Sequence, residues 1–351
     1  MSAIKTRPAP SSLKRVLISL GLVLAMCAFG FGIYQTASLF KRAETQVRRP
    51  TDASAPALPG TLYVVQAGAI YRFHNGSFQQ ITREEGWMQP STSPDGSRMV
   101  AVKRSLNRSD LYLLGRLGRI IVQLTHNESP SVETNHWVFY PRFSPDGSSV
   151  YFSYDPKDAS NTYRVDLAIF ATSATSPSAP AVRWTQPNEY TGGDVYPIPL
   201  HAGGLIYTKY SIDQQSVVHS QVWVQVKRGT PGIGLTRASD DCGQPALSSD
   251  ETLIAMVCRH GELQSADLEV ESFDASTLIV GHPNVVVRGG LVAAPSFSPD
   301  GKLLAYYRPA EAGGPFQLWV VDPSATTTHA SRQITTSLAL DPSAPPAWAA
   351  A

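Results

Sequence analysis

Two patterns of apolar positions divide the chain. From Val16 to Tyr34 nineteen residues, VLISLGLVLAMCAFGFGIY, carry no charge, whereas after Gly60 the apolar positions fall into short runs that recur behind a common polar turn. The first pattern is long enough, at helical rise, to span the hydrocarbon core of a bilayer. Lys14 and Arg15 precede it, and Lys41 and Arg42 follow it. A cleavable signal peptide is the competing reading, because Ala28-Phe29-Gly30 loosely resembles a small-x-small site, but the apolar run continues past it. The expectation is therefore an uncleaved signal anchor. Leu24-Ala25-Met26-Cys27 resembles a lipobox, yet Met26 stands where a small residue is wanted, so Cys27 reads as an ordinary apolar residue of the span. Counting flanking cations gives a tie, Lys5, Arg7, Lys14 and Arg15 against Lys41, Arg42, Arg48 and Arg49. The acid-free first tail tips the balance towards a cytoplasmic N-terminus. The sequence thus divides into a short cytoplasmic tail (1–15), a transmembrane helix (16–34), a juxtamembrane linker (35–60) and a folded region (61–351) on the extracytoplasmic side. The linker from Arg49 to Gly60 is rich in Pro, Ala, Ser and Thr and cannot bury enough apolar surface to fold.

The second pattern is a repeat. Pro90-Ser91-Thr92-Ser93-Pro94-Asp95-Gly96, Pro141-Arg142-Phe143-Ser144-Pro145-Asp146-Gly147 and Pro295-Ser296-Phe297-Ser298-Pro299-Asp300-Gly301 each precede an apolar run. Weaker copies begin at Pro197 and Pro245, and the chain ends inside a sixth at Pro346. The leading prolines are spaced by 51, 56, 48, 50 and 51 residues, the period of a propeller blade. A second marker, an apolar or aromatic residue followed by Thr, closes most units: Ile81-Thr82, Leu124-Thr125, Trp184-Thr185, Leu235-Thr236 and Ile334-Thr335. The fourth unit lacks it, and Val285 to Val287 is read as holding that place. Each unit makes four strands. Pro presets φ in the turn, Asp suits the next position and Gly accepts the left-handed geometry that returns the chain. Three segments before the first full unit (62–65, 69–73 and 78–81) and one after the last (347–349) add up to a sixth blade, closed by pairing the two ends of the folded region.

The Pro-x-aromatic-Ser-Pro-Asp-Gly turn, the strand behind it and the closing Leu-Thr together resemble the repeat of TolB-like propellers, which is related to WD-type repeats. The resemblance covers about residues 60 to 350 and implies an all-β, six-bladed ring. It also implies a partner-binding role in the cell envelope, such as the periplasm. Where such proteins carry an α/β domain before the propeller, this chain has the apolar span and the linker. Prolyl oligopeptidases have similar propellers, but no G-x-S-x-G elbow is present here.

Composition changes this picture little. With 29 basic and 28 acidic residues among 351, and only 16% charged, the chain has no basic field for a nucleic acid. Charge is uneven locally, however. The loops that join one unit to the next hold nine acids against three arginines, with aromatics beside them. Glu84, Glu85, Trp87, His136, Trp137, Tyr190, Asp194, Asp240 and Asp241 are therefore the candidate binding rim, suited to a protein or peptide partner or a saccharide. Ordinary loop solvation explains the same residues equally well. His126, Glu128, Glu133 and His136 share one loop but match no metal motif, so no metal, cofactor or catalytic residue is assigned. Asp95, Asp146 and Asp300 are explained by their turns. Cys242 and Cys258 are equidistant from a turn centred on residue 250, which places them opposite one another in a hairpin and predicts a disulfide. Two buried free thiols are the alternative, and a bridge would agree with an oxidising compartment. The sequence thus points to a membrane-tethered binding or scaffold module rather than an enzyme. The alternative is a propeller enzyme with a channel site, such as a metal-assisted saccharide lyase or hydrolase.

Overall fold

The computed structural model describes residues 58–158, 160–176, 179–260, 265–326 and 330–350. They form six antiparallel sheets. Blade I contains β1 (Thr61–Gln66), β2 (Ala69–His74) and β3 (Ser77–Gln80), and blade II β4 (Trp87–Thr92), β5 (Arg98–Arg104), β6 (Ser109–Gly115) and β7 (Ile120–Gln123). Blade III contains β8 (Val138–Phe143), β9 (Ser149–Tyr154), β10 (Ala168–Ser173) and β11 (Val182–Arg183). Blade IV is built from β12 (Asp194–Pro199), β13 (Leu205–Ile212), β14 (Val218–Gln225) and β15 (Ile233–Gly234). Blade V has β16 (Cys242–Leu247), β17 (Leu253–Cys258), β18 (Asp267–Asp274), β19 (Ile279–Val280) and β20 (Asn284–Val287). Blade VI has β21 (Ala293–Phe297), β22 (Leu304–Pro309), β23 (Phe316–Val321) and β24 (Arg332–Gln333), and the last strand, β25 (Ala347–Ala349), returns to pair β1 in blade I. The strands that begin each unit, β4, β8, β12, β16, β21 and β25, neighbour one another in a ring and surround the channel.

The repeat markers have visible mechanisms. In each full turn the Ser carbonyl accepts the Gly N–H (Ser93–Gly96 2.8 Å, Ser144–Gly147 2.8 Å, Ser298–Gly301 2.9 Å), and the Ser hydroxyl donates to the Asp carboxylate. Hydrogen bonds from Ser93 and Ser97 pull the Asp95 pKa down to about 2, and those from Ser144 and Ser148 do the same for Asp146. The closing threonines are equally specific. Thr82, Thr125, Thr185, Thr236 and Thr335 each accept, on Oγ1, a backbone N–H from the third strand of their blade: Ile70, Leu111, Ile169, Val222 and Leu318 respectively. Blade V has no such threonine, and its β20 pairs directly with β18.

The membrane reading is corrected here. No helix among the described residues is long and apolar enough to cross a membrane. The helical segments among them are single 3-10 turns at Val132–Thr134 and Ala238–Asp240, far short of the ~20 residues a span requires. Residues 16–34 lie outside the described residues. The signal anchor, the membrane as a partner and the single-pass localisation with an extracytoplasmic propeller are therefore unsupported.

Candidate functional site

The channel wall is shaped by one device used five times. The residue before the leading proline takes a left-handed backbone: Gln89 (φ +52°), Tyr140 (+52°), Tyr196 (+55°), Gln244 (+51°) and Ala294 (+58°). Each lies in a register shift of the innermost strand. A bulge is where a strand tolerates proline, which has no N–H for the ladder. Its recurrence makes the bulge a property of the blade, while the residue types differ. Gln89 and Gln244 each accept the backbone N–H of the corresponding bulge in the next blade, Tyr140 at 2.8 Å and Ala294 at 2.7 Å. Gln89 also donates to the Ser343 carbonyl at 3.0 Å. The Tyr140 and Tyr196 rings pack with centroids 4.0 Å apart. Burial raises both hydroxyl pKa values.

On the side of the Ser-Pro-Asp-Gly turns the channel opens into a cavity of about 410 Å³, lined by Arg142, Phe143, Ile198, Ser296 and Trp348 among others. Gln89, Tyr140 and Tyr196 narrow it to a space of about 20 Å³, which Arg142 and Ile198 also line. Arg142 thus stands at the junction of the wide and narrow parts. No carboxylate among the described residues pairs with it, and desolvation lowers its pKa. A desolvated guanidinium without a counter-ion attracts an anion and can hold a carboxylate by two parallel hydrogen bonds. Sequence reasoning passed over this residue. The signal was present: of the residues that follow the six leading prolines (Ser91, Arg142, Ile198, Ala246, Ser296 and Ala347), Arg142 alone is charged.

The residues of the expected rim each make local contacts. Glu84 is exposed and pairs with Lys103 at 2.7 Å, and Glu85 is exposed. Trp87 is buried at the start of β4, under the Lys103 ammonium and edge-on to Tyr112. His136 donates from Nδ1 to the Asp155 carbonyl (2.8 Å) and stacks on Tyr154. Trp137 lies under Arg104 and Tyr190 under Arg164. Asp194 is wholly buried, with Lys209 at 3.2 Å, and burial raises its pKa. Asp241 accepts from the Ser220 N–H and hydroxyl and pairs with Arg259 at 3.0 Å, while the Asp240 carbonyl accepts the Arg259 N–H. The histidine loop does not gather its ligands, for Glu128 pairs with Arg108 and Glu133 accepts from Ser131.

A second cluster forms in blade V. Cys242 and Cys258 face each other across β16 and β17 and are joined by a disulfide, and Glu269 of β18 brings a carboxylate oxygen within 4.8 Å of both sulphurs. Glu269 is buried and meets His260 Nε2 at 2.6 Å. Two residues on, Glu271 is also buried, and desolvation together with Glu269 and Asp240 raises its pKa to about 7. An unfolded glutamate titrates near 4.3, so from about pH 4.5 to 7 the native state holds a proton that the unfolded chain has lost. Stability from this group must fall over that interval and level off above it. We expect Glu271→Gln to be more stable than the parent at pH 8, by about 1–2 kcal/mol after allowance for solvent screening, and equal to it near pH 4. Urea midpoints at the two pH values measure this, and an advantage independent of pH would refute it.

No protein-family model and no curated protein matches the chain. Solved structures do. TolB from Acinetobacter baumannii is 19% identical over 87% of this chain and 69% of its own, with a TM-score of 0.60. A chain described as TolB from Agrobacterium tumefaciens is 13% identical over 83% and 94%, with a TM-score of 0.54. What is shared is the fold. A gluconolactonase from Xanthomonas campestris shares it too, at 12% identity over 84% of this chain and 90% of its own, with a TM-score of 0.51. The expectation of a non-enzymatic module is corrected by these findings. The ring is one that an enzyme also uses, and register places three possible metal ligands together in blade V where sequence spacing showed none.

Proposed function

We propose that the protein is a propeller enzyme whose substrate, an anionic saccharide such as a sugar acid or its derivative, enters the channel from the side of the Ser-Pro-Asp-Gly turns and is anchored by Arg142. The observation that carries this reading is the unpaired guanidinium between the open cavity and the tyrosine constriction. Arg142 neutralises the carboxylate of the sugar. Tyr140 and Tyr196, phenols that line the constriction, are suited to donate a hydrogen bond to an oxygen that gains charge during hydrolysis or elimination. The likeness in fold to a gluconolactonase is consistent with this chemistry.

The likeness to TolB favours a second reading, in which the same guanidinium holds the carboxylate of a peptide partner. A panel of sugar acids, lactones and carboxylate-ended peptides, scored by thermal shift and by turnover, separates the two. The enzyme reading expects a sugar acid to bind and turn over, with Arg142→Ala weakening its binding about 10- to 100-fold and Arg142→Lys less. Peptide binding that depends on Arg142, with no turnover of any saccharide, would replace it.

A further inference from the structure

Cys242 pairs with Cys258 and Cys258 with Asp267, so Glu269, two residues beyond Asp267, projects from the same face of blade V as both cysteines. That face is packed into an apolar core with Leu200, Ile206, Val222, Val224 and Met256. Cys242 is 2%, Cys258 0% and Glu269 3% exposed. Among the described residues, the ionic partner of Glu269 is the His260 imidazole, and no lysine or arginine reaches it.

We propose that these residues form a redox-gated site for a divalent metal of the zinc type, closed while Cys242 and Cys258 are bonded and opened by reduction. Two thiolates and a carboxylate are a zinc ligand set, and around a tetrahedral ion with Zn–S near 2.3 Å such donors stand about 3.3–3.8 Å apart. The ligand atoms already lie within 4.8 Å of one another. A dithiol reductant supplies two electrons and two protons: the S–S bond breaks, the reductant closes to its own disulfide, and two cysteine thiols form. Metal binding then displaces the two thiol protons to solvent. His260 is a positioning residue, holding the Glu269 carboxylate through Nε2. The site shares no residue with the channel, and the two stand or fall separately.

The test uses the full chain carrying Cys27→Ser, so that only these two cysteines remain, with Co²⁺ as the probe. After reduction and removal of the reductant, one Co²⁺ per chain should bind with a thiolate-to-cobalt charge-transfer band and be displaced by Zn²⁺. The oxidised chain should bind at least about 100-fold more weakly, and Cys242→Ser combined with Cys258→Ser should abolish the band. Glu269→Gln should weaken Co²⁺ at least about tenfold, and His260→Gln by a smaller factor. Folding of both variants is verified in the oxidised state, where the bond secures the hairpin. A reduced, folded chain without the band would overturn the proposal, as would equal affinity in the oxidised chain or unfolding on reduction with Zn²⁺ present. An unchanged affinity in Glu269→Gln would overturn the three-ligand site.

Discussion

Removal of residues 346–351 is expected to cost more than about 5 kcal/mol and to leave an aggregating chain, because a marginally stable domain cannot lose the strand that closes its ring. β25 pairs β1 through Thr61–Ala349, Leu62–Trp348 and Tyr63–Ala347. Ala344, Ala347 and Ala349 pack in one core cluster with Tyr63, Val65, Ile70, Trp87 and Met99, so the last residues of the chain join blade I to blade II. The approach is close. A Cβ on Gly60, at φ +68°, would come within 2.4 Å of the Ala349 carbonyl oxygen, and Thr92 donates its hydroxyl to the Trp348 carbonyl. Truncation would leave Thr61, Leu62 and Tyr63 of β1, a strand buried from end to end, as an unpaired edge. Guanidinium unfolding and light scattering measure the two effects. A truncated chain that stays monomeric with an unchanged midpoint would show that the ring does not need this closure.

The features that could be read from sequence were those in which local chemistry repeats. The Ser-Pro-Asp-Gly turn and the closing threonine perform the same hydrogen bonding in blade after blade, so each left a periodic signal. Even the copy without glycine keeps the frame: Glu251 takes the left-handed position at φ +56°, and its carboxylate accepts the His201 N–H at 2.7 Å. The candidate site was less legible because its partners are distant in sequence. Counting acids within the inter-unit loops left out Lys103, Arg108, Arg164, Lys209 and Arg259, which lie outside those loops and pair with Glu84, Glu128, Glu189, Asp194 and Asp241. Glu269 is separated from both cysteines by a strand connection, and only register brings it to them. Arg142 broke the pattern of its own repeat, and periodicity is read by agreement between copies.

Gln89→Leu should destabilise the ring by about 2–4 kcal/mol, although the substitution nearly preserves volume and buries more apolar surface. Gln89 is 3% exposed, and its amide serves two other blades. Its oxygen satisfies the Tyr140 N–H in blade III, and its NH₂ satisfies the carbonyl of Ser343, just before β25. Leucine leaves a backbone donor and a backbone acceptor without partners, at about 1–3 kcal/mol for each buried group. Gln244→Leu provides the internal comparison. Among the described residues its side chain takes only the Ala294 N–H, so its loss should cost about 1–3 kcal/mol and less than the loss of Gln89. Propensity for the left-handed backbone cannot explain the ordering, since Gln89 at +52° and Gln244 at +51° are matched. Urea unfolding of the two variants and the parent decides the matter. Equal midpoints for the two, or a Gln89→Leu chain within about 0.5 kcal/mol of the parent, would mean that these amides do not join the blades and that packing alone holds the channel wall around Arg142.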